Sequence, residues 1–275
     1  MTARWRTVSI VGVESVNFDR AAAFYDASRS LPSAAMDELT GLLAGELRGR
    51  QPCLEIGVGT GRFALPLRAR GITLAGADIS GAMLRRLAAN AGGRAPLPLL
   101  QSDAARLPAA PQSFGSVLAV HVLHLIPEWR VALDEVVRVV RPGGMLLASF
   151  PADHGSADAA RADAPWSAAL RAATRGHGMV RQAVGARDPR AVEDYLGSRA
   201  AARQLAPVTF DTETTLGEAI ENLQRQLFSW TWPYTPEQAR AAAGEVRGWA
   251  QRTGLPLSTA YQSQSTSRWW AFDIG

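Results

Sequence analysis

The segment Leu54-Glu55-Ile56-Gly57-Val58-Gly59-Thr60-Gly61-Arg62 constrains this chain more than any other. A short apolar run of strand character ends in three glycines at alternate positions, and a helix candidate, Gly61 to Arg70, begins there. Glycines at a strand-to-helix turn let backbone N–H groups approach a ligand closely, because no Cβ stands in the way. The dinucleotide fingerprint spaces its glycines G-x-G-x-x-G and seats a pyrophosphate on the helix N-terminus. Here the last glycine comes one residue early, and Glu55 stands two before the first. A carboxylate there opposes a phosphate and suits an ammonium or sulfonium group. Alone, the turn is a weak signal, with a plain structural connection as the less favoured alternative.

The hydrophobic rhythm around the turn supplies a fold. Cys53–Gly57, Thr73–Asp78, Leu97–Leu100, Ser116–His121 and Met145–Phe150 are short apolar runs bounded by Gly, Pro or polar residues, as buried parallel strands are. Between them lie helix candidates Gly61–Arg70, Ser80–Ala91 and Pro127–Val140, the last with Leu133, Val136, Val137 and Val140 on one face. Arg141-Pro142-Gly143-Gly144 reads as its stop. Such alternation predicts right-handed βαβ units: an α/β, doubly wound, mostly parallel sheet with helices on both faces.

After residue 150 the rhythm changes. We divide the chain into a core at 1–150, a helical insertion at 151–187 acting as a lid, and a remainder at 188–275 that carries a second helical insertion at about 212–255. Asp188-Pro189 opens a helix predicted to run to about Ala202, with Asp as cap and Pro as first helical residue. Pro207–Phe210 is strand-like, Thr215–Phe228 and Pro236–Arg252 read as helices, and Ser265–Ile274 as a single final strand.

Two further acids join the glycine turn. Asp78 ends the second strand, 21 residues after Gly57, where a carboxylate meets a ribose diol. It could also simply cap the helix that starts near Ser80. Asp103 follows the third strand, where a carboxylate accepts from an adenine amino group while the next backbone N–H, at Ala104, meets a ring nitrogen. Acids and glycines at successive strand ends converge on one crevice, the usual ligand site of an open α/β sheet.

These residues resemble a known family. Glu55-Ile-Gly57-Val-Gly59-Thr-Gly61-Arg62, Ala77-Asp78-Ile-Ser80-x-x-Met83-Leu84 and Ser102-Asp103-Ala-x-x-Leu-Pro108 are similar to the corresponding motifs of class I S-adenosylmethionine-dependent methyltransferases. So are Phe114–Trp129 and Leu133-x-Glu135-x-x-Arg138-Val-Val-Arg141-Pro142-Gly143-Gly144. Asp19-x-x-x-x-x-Tyr25-Asp26-x-x-Arg29 resembles the N-terminal helix of the ubiquinone/menaquinone-biosynthesis subgroup. The resemblance implies a Rossmann-like sheet of seven strands and S-adenosyl-L-methionine as cofactor. It implies that Gly57, Gly59 and Gly61 flank the methionine moiety, with Glu55 on its amino group. Asp78 would hold the ribose, Ile79 and Met83 flank the adenine, and Asp103 with Ala104 read its edge. Val120 and His121 would lie beside the sulfonium, with Tyr25 and Arg29 closing over the cofactor.

Methyl transfer asks the protein for alignment and, at an O or N acceptor, a base. His121 is the candidate base, with His124 a nearby pocket or packing residue. In the aromatic run Phe228–Tyr234, Trp230 is the candidate for an apolar acceptor pocket, the alternative being that the run packs two helices together. His154 and His177 are expected at the surface. Arg175 and Arg181 could meet an anionic acceptor, though solvation is commoner.

Composition excludes several other classes. The single cysteine, Cys53, allows neither an intrachain disulfide nor a cysteine-based metal cluster, and we expect no metal site. The 29 basic residues are all arginine and are scattered among 25 acids, so the high isoelectric point marks no nucleic-acid patch. No apolar run approaches the ~20 residues of a membrane span. The expectation is a cytoplasmic enzyme acting on a small-molecule acceptor. A non-enzymatic S-adenosylmethionine-binding protein and a nicotinamide-dependent oxidoreductase are the alternatives.

Overall fold

Cys53–Ile56 forms strand β1, buried at every position. In the computed structural model, which describes residues 15–151, 163–180 and 184–275, both edges of β1 are taken by parallel neighbours. These are β2 (Leu74–Asp78) and β4 (Phe114–Val120). Strand β3 (Leu99–Gln101) extends the sheet beyond β2, and β5 (Val140–Ser149) beyond β4. β9 (Trp270–Ile274) then pairs antiparallel with β5, and β6 (Ala200–Gln204) antiparallel with β9. The order β3-β2-β1-β4-β5-β9-β6 makes seven strands, and the direction of winding reverses between β1 and β4. Ligands of open α/β sheets bind outside the carboxyl ends of strands at such a reversal.

Helices α2 (Ser33–Leu47), α3 (Ala64–Ala69) and α4 (Gly81–Asn90) cover one face of the sheet, and α5 (Trp129–Val139) and α7 (Pro189–Leu196) the other. The strands feed both faces by alternation. In β4, Val117 and Ala119 join the α5 side while Leu118 and Val120 join the α2 side. A short helix, α1 (Tyr25–Arg29), precedes α2. Cys53 lies buried in β1, and burial pushes its thiol up to about 12, so no thiolate is available at neutral pH.

A third apolar cluster, built on Trp166, Ile220 and Val246, holds together α6 (Ser167–Gly176), α8 (Leu216–Gln224) and α9 (Pro236–Thr253). Helices α8 and α9 stand between two strands, β7 (Val208–Thr215) and β8 (Ala260–Ser267), which form a separate antiparallel ribbon. Both helices begin with capping boxes, Thr215 with Glu218 and Thr235 with Gln238. No helix of the described residues is long and apolar enough to cross a membrane.

Three sequence expectations need correction. The helix opened by Asp188 stops at Leu196, because Gly197 takes φ 54°. Residues Ala200–Gln204 instead become β6 on the free edge of β9, so sheet pairing overrides the helix preference of the alanines. The expected single strand at 265–274 is two strands. Trp269 is buried between them, its Nε1 donating to Ser267 Oγ at 3.1 Å, and the chain leaves the ribbon to enter the main sheet at this corner. Arg141–Gly144 does follow the end of α5, but β5 already begins at Val140. A register irregularity opposite Phe114 and Ser116 accommodates the early start.

Candidate functional site

A pocket opens at the carboxyl edge of β1, β2, β3 and β4, where the winding reverses. The glycine turn forms its floor. Gly57 has φ 66° and lies so close to the loop after β4 that a Cβ would come within 2.5 Å of Val122. Gly59, with φ 55°, donates its N–H to Asp78 Oδ2 at 2.8 Å. Gly61 is absent from the pocket wall and serves packing instead, since a Cβ there would meet Leu65 and Leu87 at 2.9 Å.

Asp78 stands at the end of β2 with both oxygens engaged by backbone. Oδ2 takes the Gly59 N–H, and Oδ1 takes the Ser80 N–H at 2.8 Å. The cap of α4 is Ser80, whose Oγ accepts from the Met83 N–H at 3.1 Å. Burial raises the Asp78 carboxyl above its usual range, and the two N–H donors only partly offset that. Ile79, Met83, Asp103, Ala104 and Val120 line the same pocket. Asp103 Oδ1 accepts from the Ala105 N–H at 2.9 Å and Oδ2 from Ser15 Oγ at 3.0 Å.

His121 lines the pocket just past β4. It adopts φ 48°, a left-handed conformation costing on the order of 1–3 kcal/mol for a residue with a Cβ. Its N–H donates to Ser149 Oγ, at the end of β5, at 3.2 Å. His124 sits on the following 3-10 turn with its ring perpendicular to that of His121, the centroids 6.3 Å apart. It is half-buried and lies off the pocket wall.

Glu55 lies beneath the turn, fully buried, and its Oε2 has no hydrogen-bond partner. Desolvation pushes its carboxyl well above the usual carboxylate range, eased by Arg62 and reinforced by Asp78. An acid raised in this way favours the folded state most when protonated. Its contribution is complete below the unfolded value near 4.5 and is lost as pH rises toward the folded value. Glu55→Gln removes that loss. The stability gap between variant and wild type is therefore expected to open above about pH 5 and to widen as pH rises further, by at most about 1.4 kcal/mol per pH unit. Thermal melts at several pH values check this, and a gap that stays constant from pH 4 to 8 would contradict it.

The remaining predicted residues are distributed as follows. Tyr25 is in the wall, but Arg29 is not: its guanidinium stacks on Phe228 at 4.4 Å. Trp230 packs against the cluster of α6, α8 and α9, away from the wall, while its neighbour Trp232 touches the pocket-lining Phe18 with centroids 4.6 Å apart. His177 pairs with Glu245 at 3.2 Å, and Arg175 is exposed. His154 and Arg181 lie outside the described residues. Among the described residues no group of His, Cys, Asp and Glu is placed to hold a metal ion.

Sequence reasoning missed several parts of the wall, among them Ala77 and the residues Val122, Leu125 and Ile126 after β4. Ser15, Val16 and Phe18 line the pocket as a strap, the Val16 N–H donating to the Leu125 carbonyl at 3.1 Å. Ser102 presents a buried Oγ with no partner. The strap carries no motif, whereas Ser102 could have been found by its place directly before Asp103 at a strand end.

Residues 54–148 match the family described as a methyltransferase domain. A demethylmenaquinone methyltransferase of Clavibacter sepedonicus is 33% identical over 144 residues, covering 50% of this chain and 57% of that protein. Its counterpart in Beutenbergia cavernae is 32% identical over 133 residues, covering 47% and 54%. The chain thus spans about half the length of these curated relatives. Among solved structures, a candidate methyltransferase of Bacillus halodurans aligns with a TM-score of 0.52 at 15% identity, covering 87% of this chain and 97% of that one. The [4+2]-cyclase SpnF aligns with a TM-score of 0.50 at 19% identity, covering 90% and 84%. Likeness at such identities speaks for the fold alone, and one fold hosts several reactions. The sheet order shows the Rossmann-like fold of the class I S-adenosylmethionine-dependent methyltransferases, and residues 54–148 match a methyltransferase domain and resemble the menaquinone-type subgroup.

Proposed function

We propose that this chain binds S-adenosyl-L-methionine and transfers its methyl group to a small-molecule acceptor. The observation that carries the reading is the charge of the pocket. Asp78 and Asp103 are the charged residues among the described ones in its wall, with Glu55 buried beneath the turn and no arginine on the wall. A cationic ligand suits that charge and a dinucleotide pyrophosphate does not. The unpartnered Oε2 of Glu55 suits an amino group, directly or through water. Asp78, already held by two backbone donors, keeps lone pairs for a ribose diol. Ile79 and Met83 supply apolar faces for an adenine, and Asp103 with Ala104 its edge.

The cofactor supplies the electrophilic methyl group. The chain's own work is to align it with an acceptor and to exclude water. Val120 and His121 stand where β4 ends, and both line the pocket. The His121 imidazole is the candidate base for an O or N acceptor. Phe18 and Tyr25 cover the pocket and reduce its contact with solvent.

Calorimetric titration of the purified protein with S-adenosylmethionine, S-adenosylhomocysteine and NAD(H) tests the assignment. Micromolar binding of the first two and none of the third is expected. Preference for NAD(H), or binding of none, would overturn it.

A further inference from the structure

The glycine turn works in two directions. Gly57 and Gly59 present backbone to the pocket, whereas the side chains of Thr60 and Arg62 reach the short helix α1. Thr60 Oγ1 donates to Asp26 Oδ1 at 2.5 Å, and Arg62 Nη1 donates to the Arg29 carbonyl at 2.5 Å. The other oxygen of Asp26 accepts from Asn90 Nδ2 at 3.0 Å and from Arg86 Nε at 3.3 Å, both on α4. Asn90 also donates to the Thr60 carbonyl at 3.2 Å, closing the network.

Helix α1 has only five residues and buries none of them. So short a helix neither sustains itself nor gains much from packing. Its position is therefore set by side-chain contacts: Tyr25 packs edge-on against Phe18 with centroids 5.9 Å apart, Arg29 stacks on Phe228, and Asp26 makes three polar contacts with one carboxylate. Burial opposes the charge, yet the donors from Thr60, Asn90 and Arg86 hold the carboxyl below its usual range, so Asp26 is ionised in its network. Its chain neighbour, Tyr25, is the residue of α1 that lines the pocket.

We propose that Asp26 is a positioning residue for the cofactor: its carboxylate latches α1 onto the glycine turn and α4, and so holds Tyr25 across the pocket. The inference rests on the cofactor assignment above. Asp26 itself does not line the pocket. A latch that touches no ligand acts chiefly on the rate of escape, since it closes behind a ligand already seated.

The test compares S-adenosylhomocysteine binding to wild type, Asp26→Ala, Thr60→Val and the double variant by rapid-mixing kinetics. Dissociation is expected to accelerate about tenfold in Asp26→Ala, as for the loss of one to two net hydrogen bonds, with association changed much less. Thr60→Val, nearly isosteric, should shift the same rate in the same direction and keeps the test intact if Asp26→Ala folds poorly. The double variant should be no worse than Asp26→Ala alone, because the Thr60 contact is one of those that Asp26→Ala already removes. Digestion with trypsin gives an independent readout. The chain contains no lysine, and S-adenosylhomocysteine should protect the Arg29–Ser30 bond in wild type but not in Asp26→Ala. If wild type fails to bind S-adenosylhomocysteine, the cofactor assignment falls. If wild type binds and both single variants release the ligand at the wild-type rate, the latch alone is overturned.

Discussion

Asp78→Ala is expected to weaken S-adenosylmethionine binding by about 100-fold or more. A hydrogen bond to a charged group contributes about 1.5–3 kcal/mol net, and a ribose diol offers two, so a loss of roughly 3 kcal/mol, or two decades in Kd, is the conservative figure. The carboxylate is also preorganised. The Gly59 and Ser80 N–H groups fix both oxygens before any ligand arrives, so little is spent on orienting them. Removing it has a second effect, because those buried donors lose their acceptor. Stability should therefore fall by about 1–2 kcal/mol alongside affinity. Asp78→Asn separates the two, since it retains one acceptor oxygen and the side-chain shape. Calorimetry at a temperature where melts show each variant folded is the measurement. Binding within threefold of wild type in the folded alanine variant would remove Asp78 from the site.

The parts of this molecule that were legible in its sequence are those where local chemistry and tertiary position coincide. The glycines of the turn announce a strand-to-helix junction because backbone geometry requires them: Gly57, Gly59 and Gly61 all have positive φ. Asp78 and Asp103 stand at strand ends, so reading the strands correctly also placed the acids. Arg29 and Trp230 were harder. Each belongs to a segment adjoining the pocket, but the direction of its side chain depends on packing between α1 and the 228–234 run, which no local pattern encodes. The strap at Ser15–Phe18 was invisible because so short an irregular segment has no periodicity. Likewise β6 hid inside an alanine-rich stretch, since only the free edge of β9 makes those residues a strand. The left-handed His121 shows the limit from the other side. Its identity was readable, but its placement depends on Ser149, 28 residues away on another strand.

The same dependence on distant partners makes β9 a place where stability is exposed to a single change. Phe272 is fully buried at the middle of β9, paired with Leu146 of β5 on one side and Ala202 of β6 on the other. Its ring meets that of Phe150 edge-on, with centroids 6.5 Å apart. Phe272→Ala deletes a whole buried ring at the one strand joining β6 to the parallel core, and close-packed surroundings fill such a cavity only in part. The expected loss is about 3–5 kcal/mol, which for a chain of this size lowers Tm by roughly 10 °C. Phe272→Leu retains most of the volume and should lose about 1–2 kcal/mol. Neither change touches the pocket wall, so S-adenosylhomocysteine affinity, measured well below each melting point, should stay within about twofold of wild type, as for distant independent sites. A Tm unchanged in Phe272→Ala would mean that β9 does not dock between β5 and β6. A matching fall in affinity would instead tie the site to the antiparallel edge, through the adjoining Ala148–Trp270 pair and the neighbouring Ser149 that accepts the His121 N–H.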